Sequence, residues 1–440
     1  MERFVEKELL KWKMQKHRVP LIVRGARQIG KTFVIEKFGK EYFKHFIKIN
    51  FERDPKAESC FQSLNPTEIL SALEIYTRQE IHAEETLLFL DEIQACPRAL
   101  MALRYFKEEL PHFHVIAAGS LLEFALKEEQ FRMPVGRVEY LYMYPLCYAE
   151  YLQAQGERSL LKALKQCTTE KPLPQAGHER ALESLRQYMA IGGMPEVIET
   201  FLSDKSYLNA QRLQARLLNT FRDDFGKYAK HLQHRYLELV FDKAPGLISE
   251  LFKYVKIDPQ LDPRPIREAV LMLVDAGILS PIYATAATGV PLISFANLKK
   301  LKLLFLDIGL VQRACRVDLQ WILDHDLMLV NRGALAEQFV GQELLSLFSC
   351  YEKGKLYFWE RNKPGSSAEI DYVINLEGRI LPIEVKAGAT GRLRSLKIFM
   401  KEKKVPLGIR ISSAPLSFED NILNVPLYMI SEIPRLIHDV

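Results

Sequence analysis

At 440 residues the chain exceeds what one ordinary hydrophobic core organises, so roughly two to four domains are expected. A composition of 26% charged and 48% hydrophobic residues excludes collagenous, low-complexity and disordered classes, and a net charge of +5 permits nucleic-acid contact without demanding it. Six scattered cysteines with no C-x-x-C pair argue against a disulfide framework or a zinc site, and no apolar run or N-terminal signal core points to a membrane, so a cytoplasmic protein with no membrane partner is expected.

The first pattern along the chain is Leu21-Ile22-Val23, a short buried strand, followed by Gly25-Ala26-Arg27-Gln28-Ile29-Gly30-Lys31-Thr32 and then an amphipathic helix from residue 33. The eight residues fit G-x-x-x-x-G-K-[ST], and the strand before and helix after them are the setting of a phosphate-binding loop. Glycines let the backbone curl so that its N–H groups converge on phosphate oxygens, and the helix N-terminus adds partial positive charge there. Lys31 is expected to reach the β- and γ-phosphates, and the Thr32 hydroxyl to ligate Mg2+. A nucleoside triphosphate is the implied ligand.

Through residue 150, short apolar strands alternate with helical patterns, which implies a multidomain α/β protein that opens with a parallel nucleotide-binding sheet. The expected strands are 21–24, 46–51, 86–90, 115–119 and 138–142. The third ends in Asp91-Glu92, which places Asp91 for the magnesium shell and Glu92 to polarise the attacking water. The strand at 46–51 comes between the phosphate loop and this pair, as in ATPases with a catalytic glutamate beside the magnesium aspartate. Ser120 follows the next strand, where a hydroxyl can sense the γ-phosphate. Arg137 is a candidate for positive charge at the transition state, in cis or toward a neighbouring subunit.

Residues 151–230 read as a helical lid, broken at Gly192-Gly193-Met194-Pro195 by a turn. Residues 231–320 change character: helices, then a helical run at 265–276 stopped by Gly277, then strands at 279–283 and 302–306. Helices followed by a hairpin suggest a winged helix-turn-helix, with Arg264 and Arg267 at the start of the recognition helix and Lys299, Lys300 and Lys302 in the wing. A helical spacer whose lysines merely solvate its face is the alternative. Residues 321–440 form the last unit, with an amphipathic helix at 334–348 and strands at 356–359, 369–376 and 380–385. Glu377-Gly378 makes the turn between the last two strands, and a basic helical segment runs from 392 to 404.

In that unit, strand periodicity puts Glu369 and Asp371 on one face, and Glu384 and Lys386 on one face of the partner strand. The hairpin can bring Asp371 beside Glu384, and two such carboxylates attract Mg2+. Lys386 is then placed to help deprotonate a metal-bound water, and Glu337 on the preceding helix to complete the ligand set. Helix, strand and strand carrying Glu, Asp and Glu-x-Lys resemble the restriction-endonuclease-like nucleases, which cut DNA or RNA with Mg2+.

The whole chain resembles a widespread family of bacterial and archaeal AAA-type ATPases with a C-terminal domain of unknown function. The resemblance is carried by residues 25–32, Leu90-Asp91-Glu92-Ile93-Gln94, Ala118-Gly119-Ser120, Gly136-Arg137, Tyr144-Pro145-Leu146, Gly192-Gly193-Met194-Pro195-Glu196, Phe305-Leu306-Asp307-Ile308-Gly309-Leu310 and the carboxylate–lysine cluster. It implies ATP as the nucleotide and a lid and winged helix after an AAA-type core at 1–150. Two functions are consistent with these residues. One is an ATP-hydrolysing switch that couples nucleotide state to DNA binding and Mg2+-dependent phosphodiester cleavage. The other is a regulatory ATPase whose last domain recognises a protein or nucleic acid and cuts nothing.

Overall fold

The computed structural model describes residues 1–120, 122, 136–228, 231–320, 333–361, 368–386 and 393–440. The chain divides into two compact units. The first holds residues 1–144 with short segments at 275–277 and 349–353; the second holds 145–274, 278–348 and 354–440.

Five strands form the sheet of the first unit: β1 (Leu21–Arg24), β2 (His45–Asn50), β3 (Thr86–Asp91), β4 (His114–Ala118) and β5 (Glu139–Tyr142). They are parallel throughout, in the order β2-β3-β4-β1-β5. Strand β4 therefore separates the strand before the phosphate loop from the one that ends in Asp91. Helices α1 (Val5–Met14), α2 (Lys31–Tyr42), α3 (Pro66–Thr77) and α4 (Pro97–Glu109) accompany the sheet. Strands β3 and β4 are buried at every position, which explains their uninterrupted apolar runs, since a parallel strand covered on both faces has no solvent side to mark with polar residues. The strands lie within a residue of the expected bounds. The register runs Val23 to Ala118, Ala118 to Asp91 and Asp91 to Asn50, so their carboxyl ends form one level row.

The second unit contains helices Gln175–Ile191 and Pro195–Asp204, joined at the expected Gly192-Gly193 turn, and an eight-stranded mixed sheet. Its strands are β6 (Leu279–Thr285), β7 (Ala296–Phe305), β8 (Leu356–Glu360), β9 (Glu369–Leu376), β10 (Arg379–Val385), β11 (Gly408–Ser412), β12 (Ser417–Glu419) and β13 (Ile422–Pro426), in the order β12-β13-β11-β10-β9-β8-β6-β7. Helix α5 (Pro263–Asp275) precedes the β6–β7 hairpin, as the sequence suggests. The hairpin, however, is no free wing. β6 pairs in parallel with β8, so it extends the sheet of the C-terminal strands across the boundary drawn at residue 320. The β9–β10 turn is built as expected, with Glu377 at φ +50 and Gly378 at φ +80.

Two of the sequence motifs meet here. Asp307 is fully buried, and its Oδ2 accepts the Gly193 N–H at 2.6 Å. Its Oδ1 caps helix Ile308–Ala314 by accepting the Leu310 N–H at 3.1 Å. A Cβ on Gly192 would stand 2.1 Å from Asp307 Oδ1, and one on Gly309 would stand 2.5 Å from the Ile191 carbonyl oxygen. The paired glycines thus admit a buried carboxylate, and both motifs are structural.

Helix α6 (Ala334–Leu345) corrects the expectation of an amphipathic helix, since between 335 and 345 only Glu337 escapes burial. Its polar side chains serve buried backbone: Gln338 both accepts from and donates to Phe305, and Gln342 accepts from the Ile308 N–H. Glu343 accepts the Tyr148 N–H at 2.9 Å, and burial pushes its carboxyl up to about 8. The native state then binds more protons than the unfolded chain from about pH 4.5 to 8, so this group makes stability fall as pH rises through that window. Glu343→Gln, which keeps the acceptor, is expected to raise Tm at pH 8.5 by a few degrees and leave it nearly unchanged at pH 5. Calorimetry at the two pH values checks this.

Candidate functional sites

The phosphate loop is shaped by three positive φ values: Gly25 at +142, Gln28 at +66 and Gly30 at +90. Gly25 is obligatory twice over, because a Cβ there would also lie 2.3 Å from the Met143 carbonyl oxygen. Gly30 caps α2 without a side chain, leaving the first amides of the helix for a ligand. Buried Lys31 folds onto its own loop, donating to the carbonyls of Gly25 at 2.9 Å and Ala26 at 2.7 Å. Burial pulls its ammonium down to about 8, against the charges of Glu92 and Asp91.

The level row of strand ends assembles the acids. Thr32 Oγ1 donates to Asp91 Oδ1 at 3.2 Å, so hydroxyl and carboxylate, the two hard donors expected for Mg2+, stand side by side. Asp91 Oδ2 also accepts from Asn50 Nδ2 at 2.9 Å and lies 3.1 Å from Lys48 Nζ. Glu92 follows in a left-handed conformation, φ +51, which turns it off the strand axis. Its Oε2 accepts from Gln94 Nε2 at 2.7 Å, and Ser120 N and Oγ each reach it at 3.5 Å. Lys31, Thr32, Asp91, Glu92 and Ser120 are therefore gathered at one end of the sheet. Exposed Arg137 instead donates to Glu108 Oε1 at 2.9 Å, an ion pair on α4 that none of the acids at the strand ends shares. Sequence reasoning missed Lys48, Asn50 and Gln94. Gln94 stood inside a quoted motif, whereas Asn50 and Lys48 end a strand whose only visible signal was apolar alternation.

In the second unit, Asp371 Oδ2 accepts the Val385 N–H at 2.8 Å, so the hairpin does bring Asp371 to the Glu384–Lys386 strand. Lys386 Nζ lies 2.7 Å from Glu384 Oε1, while Glu384 Oε2 is buried with no hydrogen-bond partner among the described residues. Burial raises the carboxyl of Glu337 to about 8 and that of Glu384 to about 7, with the Asp371 charge adding to both. Asp371 is likewise raised, chiefly by burial.

A second ammonium enters this group. Lys302, expected on a solvent-facing wing, is buried with its side chain only 4% exposed and paired with Glu369. Burial opposes its charge, yet Glu337, Glu369 and Asp371 together hold it above the usual lysine range. Lys300 is likewise paired, with Glu360. Strand β7 thus delivers Lys300 and Lys302 to acids of the same sheet. Among the described residues no three acids converge to hold one metal ion, so the expected Mg2+ set of Glu337, Asp371 and Glu384 is not assembled. Asp371 Oδ2 is held by a backbone amide and Glu384 Oε1 by Lys386, which leaves Glu384 Oε2 as an open acid oxygen of the group.

Comparison with known proteins agrees with the first unit. Residues 17–152 match the family model described as an AAA domain. Residues 182–320 and 332–430 match two models, each described as a domain of unknown function, DUF8612 and DUF4143 respectively. The N-terminal part of the chain thus matches an AAA domain, and the phosphate loop at 25–32 lies within the matched residues. No curated protein matches the chain. Among solved structures it is similar to the Walker-type ATPase PABY2304 of Pyrococcus abyssi, at 13% identity and TM-score 0.43, covering 71% of this chain and 95% of that one. It is also similar to the Aeropyrum pernix ORC1 protein in complex with DNA, at 12% identity and TM-score 0.31, covering 72% and 93%. The Thermotoga maritima RuvB Holliday junction branch migration motor is a third, at 13% and 0.29, covering 64% and 89%. No described helix is long and apolar enough to cross a membrane.

Proposed function

We propose that this chain is an ATP-hydrolysing switch whose second unit engages nucleic acid, DNA before RNA. The observation that carries the first half is the Thr32 hydroxyl 3.2 Å from Asp91, with Glu92 next in sequence and in contact with Ser120. Residues 25–32 bind the phosphates through backbone N–H groups, and Lys31 exchanges its two loop carbonyls for phosphate oxygens. Thr32 and Asp91 would hold Mg2+, which neutralises charge on the β- and γ-phosphates. Glu92 accepts a proton from the attacking water, with Gln94 and Ser120 fixing its orientation. Arg137 is the candidate for the remaining positive charge, once released from Glu108.

The nucleic-acid half rests on the second unit. Helix α7 (Arg394–Lys403) and its end carry Arg394, Lys397, Lys401, Lys403 and Lys404. The basic Arg392, at the start of the expected segment, lies outside the described residues. On this reading the acid–lysine cluster is a recognition element. A second reading, cleavage by the same cluster, is favoured by the unpartnered Glu384 Oε2 beside Lys386. One comparison separates them: wild type and Lys386→Ala with supercoiled and branched DNA, Mg2+, and ATP or no nucleotide. Nicking that Lys386→Ala abolishes establishes cleavage. DNA retention with intact ATP turnover and no nicking establishes recognition, and failure to retain any DNA removes the nucleic-acid half.

A further inference from the structure

A cavity of about 330 Å³ opens between the ends of β6 and β8, the β6–β7 connection and the end of α7. That volume sits at the lower end of the ~300–1,000 Å³ typical of small-ligand sites. Its apolar lining is aromatic. Trp359 is almost fully buried and held edge-on by Phe399, with centroids 5.1 Å apart, so it is a rigid wall. Phe295 is 39% exposed and belongs to a connection that also exposes Val290 and Ile293, with exposed Leu298 following on β7. Nothing in core packing accounts for four large apolar side chains exposed within nine residues of chain.

The polar lining has a sign. Lys300, Arg361 and Lys403 oppose Glu360 and Glu402, three cations against two anions. Lys300 and Arg361 already pair with the two acids, while Lys403 lies 5.9 Å from the centroid of the Trp359 ring. Asn297 Oδ1 accepts the Lys299 N–H at 3.0 Å, so what it offers a ligand is its donor Nδ2. A planar ring with hydrogen-bond acceptors, joined to an anion, matches Asn297 Nδ2, Lys403 and the aromatic lining.

Glu360 stands directly opposite Glu369 in the β8–β9 ladder, about 5 Å away, and Glu369 pairs with Lys302 of the acid–lysine cluster. Resting on the nucleic-acid reading above, we infer that the cavity between Phe295 and Trp359 takes one unpaired base of a single strand, with Lys403 on its phosphate. The adjoining phosphodiester then lies toward Glu369 and Lys302. Base-on-aromatic stacking tolerates any sequence, so the site selects strand state and not base identity.

The test uses the full chain in EDTA, with a fluorescent ten-nucleotide oligo-dT carrying one 2-aminopurine and a blunt hairpin duplex as probes. The single strand is expected to bind at least about tenfold more tightly than the duplex, with 2-aminopurine emission quenched on binding. Phe295→Ala, which removes an exposed ring, weakens single-strand binding about tenfold, restores the emission and leaves duplex binding unchanged, and in a separate assay with Mg2+ it leaves ATP turnover unchanged. Equal affinities of wild type and Phe295→Ala for the single strand, or a preference for duplex, overturn the base pocket while leaving DNA binding intact. Failure of both probes to bind overturns the nucleic-acid reading as well.

Discussion

Lys31→Ala gives a folded protein that no longer binds ATP at micromolar concentrations. The lost contacts are charge-assisted hydrogen bonds to phosphate, made where burial has already stripped the ammonium of water. A loss on the order of 100-fold or more in affinity is expected, about 3 kcal/mol by the tenfold-per-1.4 kcal/mol rule. The fold should tolerate the change, because the ammonium satisfies only loop carbonyls, Gly25 and Ala26, that water can serve instead. Glu92→Gln divides binding from chemistry: it keeps the shape and the contact with Ser120 but cannot take a proton. Turnover falls about 10²–10⁴-fold while ATP affinity stays within a few-fold of wild type. Titration calorimetry and phosphate release read the two effects, and unchanged ATP affinity in Lys31→Ala would refute the assignment of residues 25–32.

The second large effect is on stability. Asp307→Ala strips the buried Gly193 N–H of its acceptor and the helix Ile308–Ala314 of its cap. An orphaned buried donor costs roughly 1–3 kcal/mol and a lost cap about 1 kcal/mol, so a Tm drop on the order of 5–10 °C is expected. Burial raises the Asp307 carboxyl to about 6, with the amides of Gly193 and Leu310 working against that shift. Asp307→Asn keeps one acceptor oxygen for the two donors and turns its NH2 toward the other N–H, so it should recover only part of the loss. A thermal melt of Asp307→Ala that matches wild type would show that the two glycine motifs do not depend on this carboxylate.

The nucleotide sheet was legible because its central strands are short apolar runs, and β3 ends in a residue with distinctive chemistry, as Thr86–Asp91 shows. Lys31, Thr32, Asp91 and Glu92 were legible because phosphate and magnesium impose residue type and spacing together. Asn50 and Lys48 were not, since they reach Asp91 only through the β2–β3 register, a pairing made across forty residues of chain. The same limit hid the fate of the β6–β7 hairpin. Its parallel partner β8 begins more than fifty residues after β7 ends, and local periodicity says nothing about it. Lys302 was misplaced for a related reason: a lysine in a strand reads as a solvent residue until the acids that surround it are brought in from β9 and α6. Helix α6 misled through its glutamines and glutamate, which look like a wet face and turn out to serve buried backbone of neighbouring elements.

Because β7 is the last strand of the eight, no described strand pairs along its outer edge. Such a border is a template on which a second chain could add a strand and begin to aggregate. The run Asn297-Leu298-Lys299-Lys300 lies along that border, largely solvent-facing, and an added strand would have to desolvate the exposed Lys299 ammonium. Lys299 therefore acts as a gatekeeper against strand addition whatever else it binds.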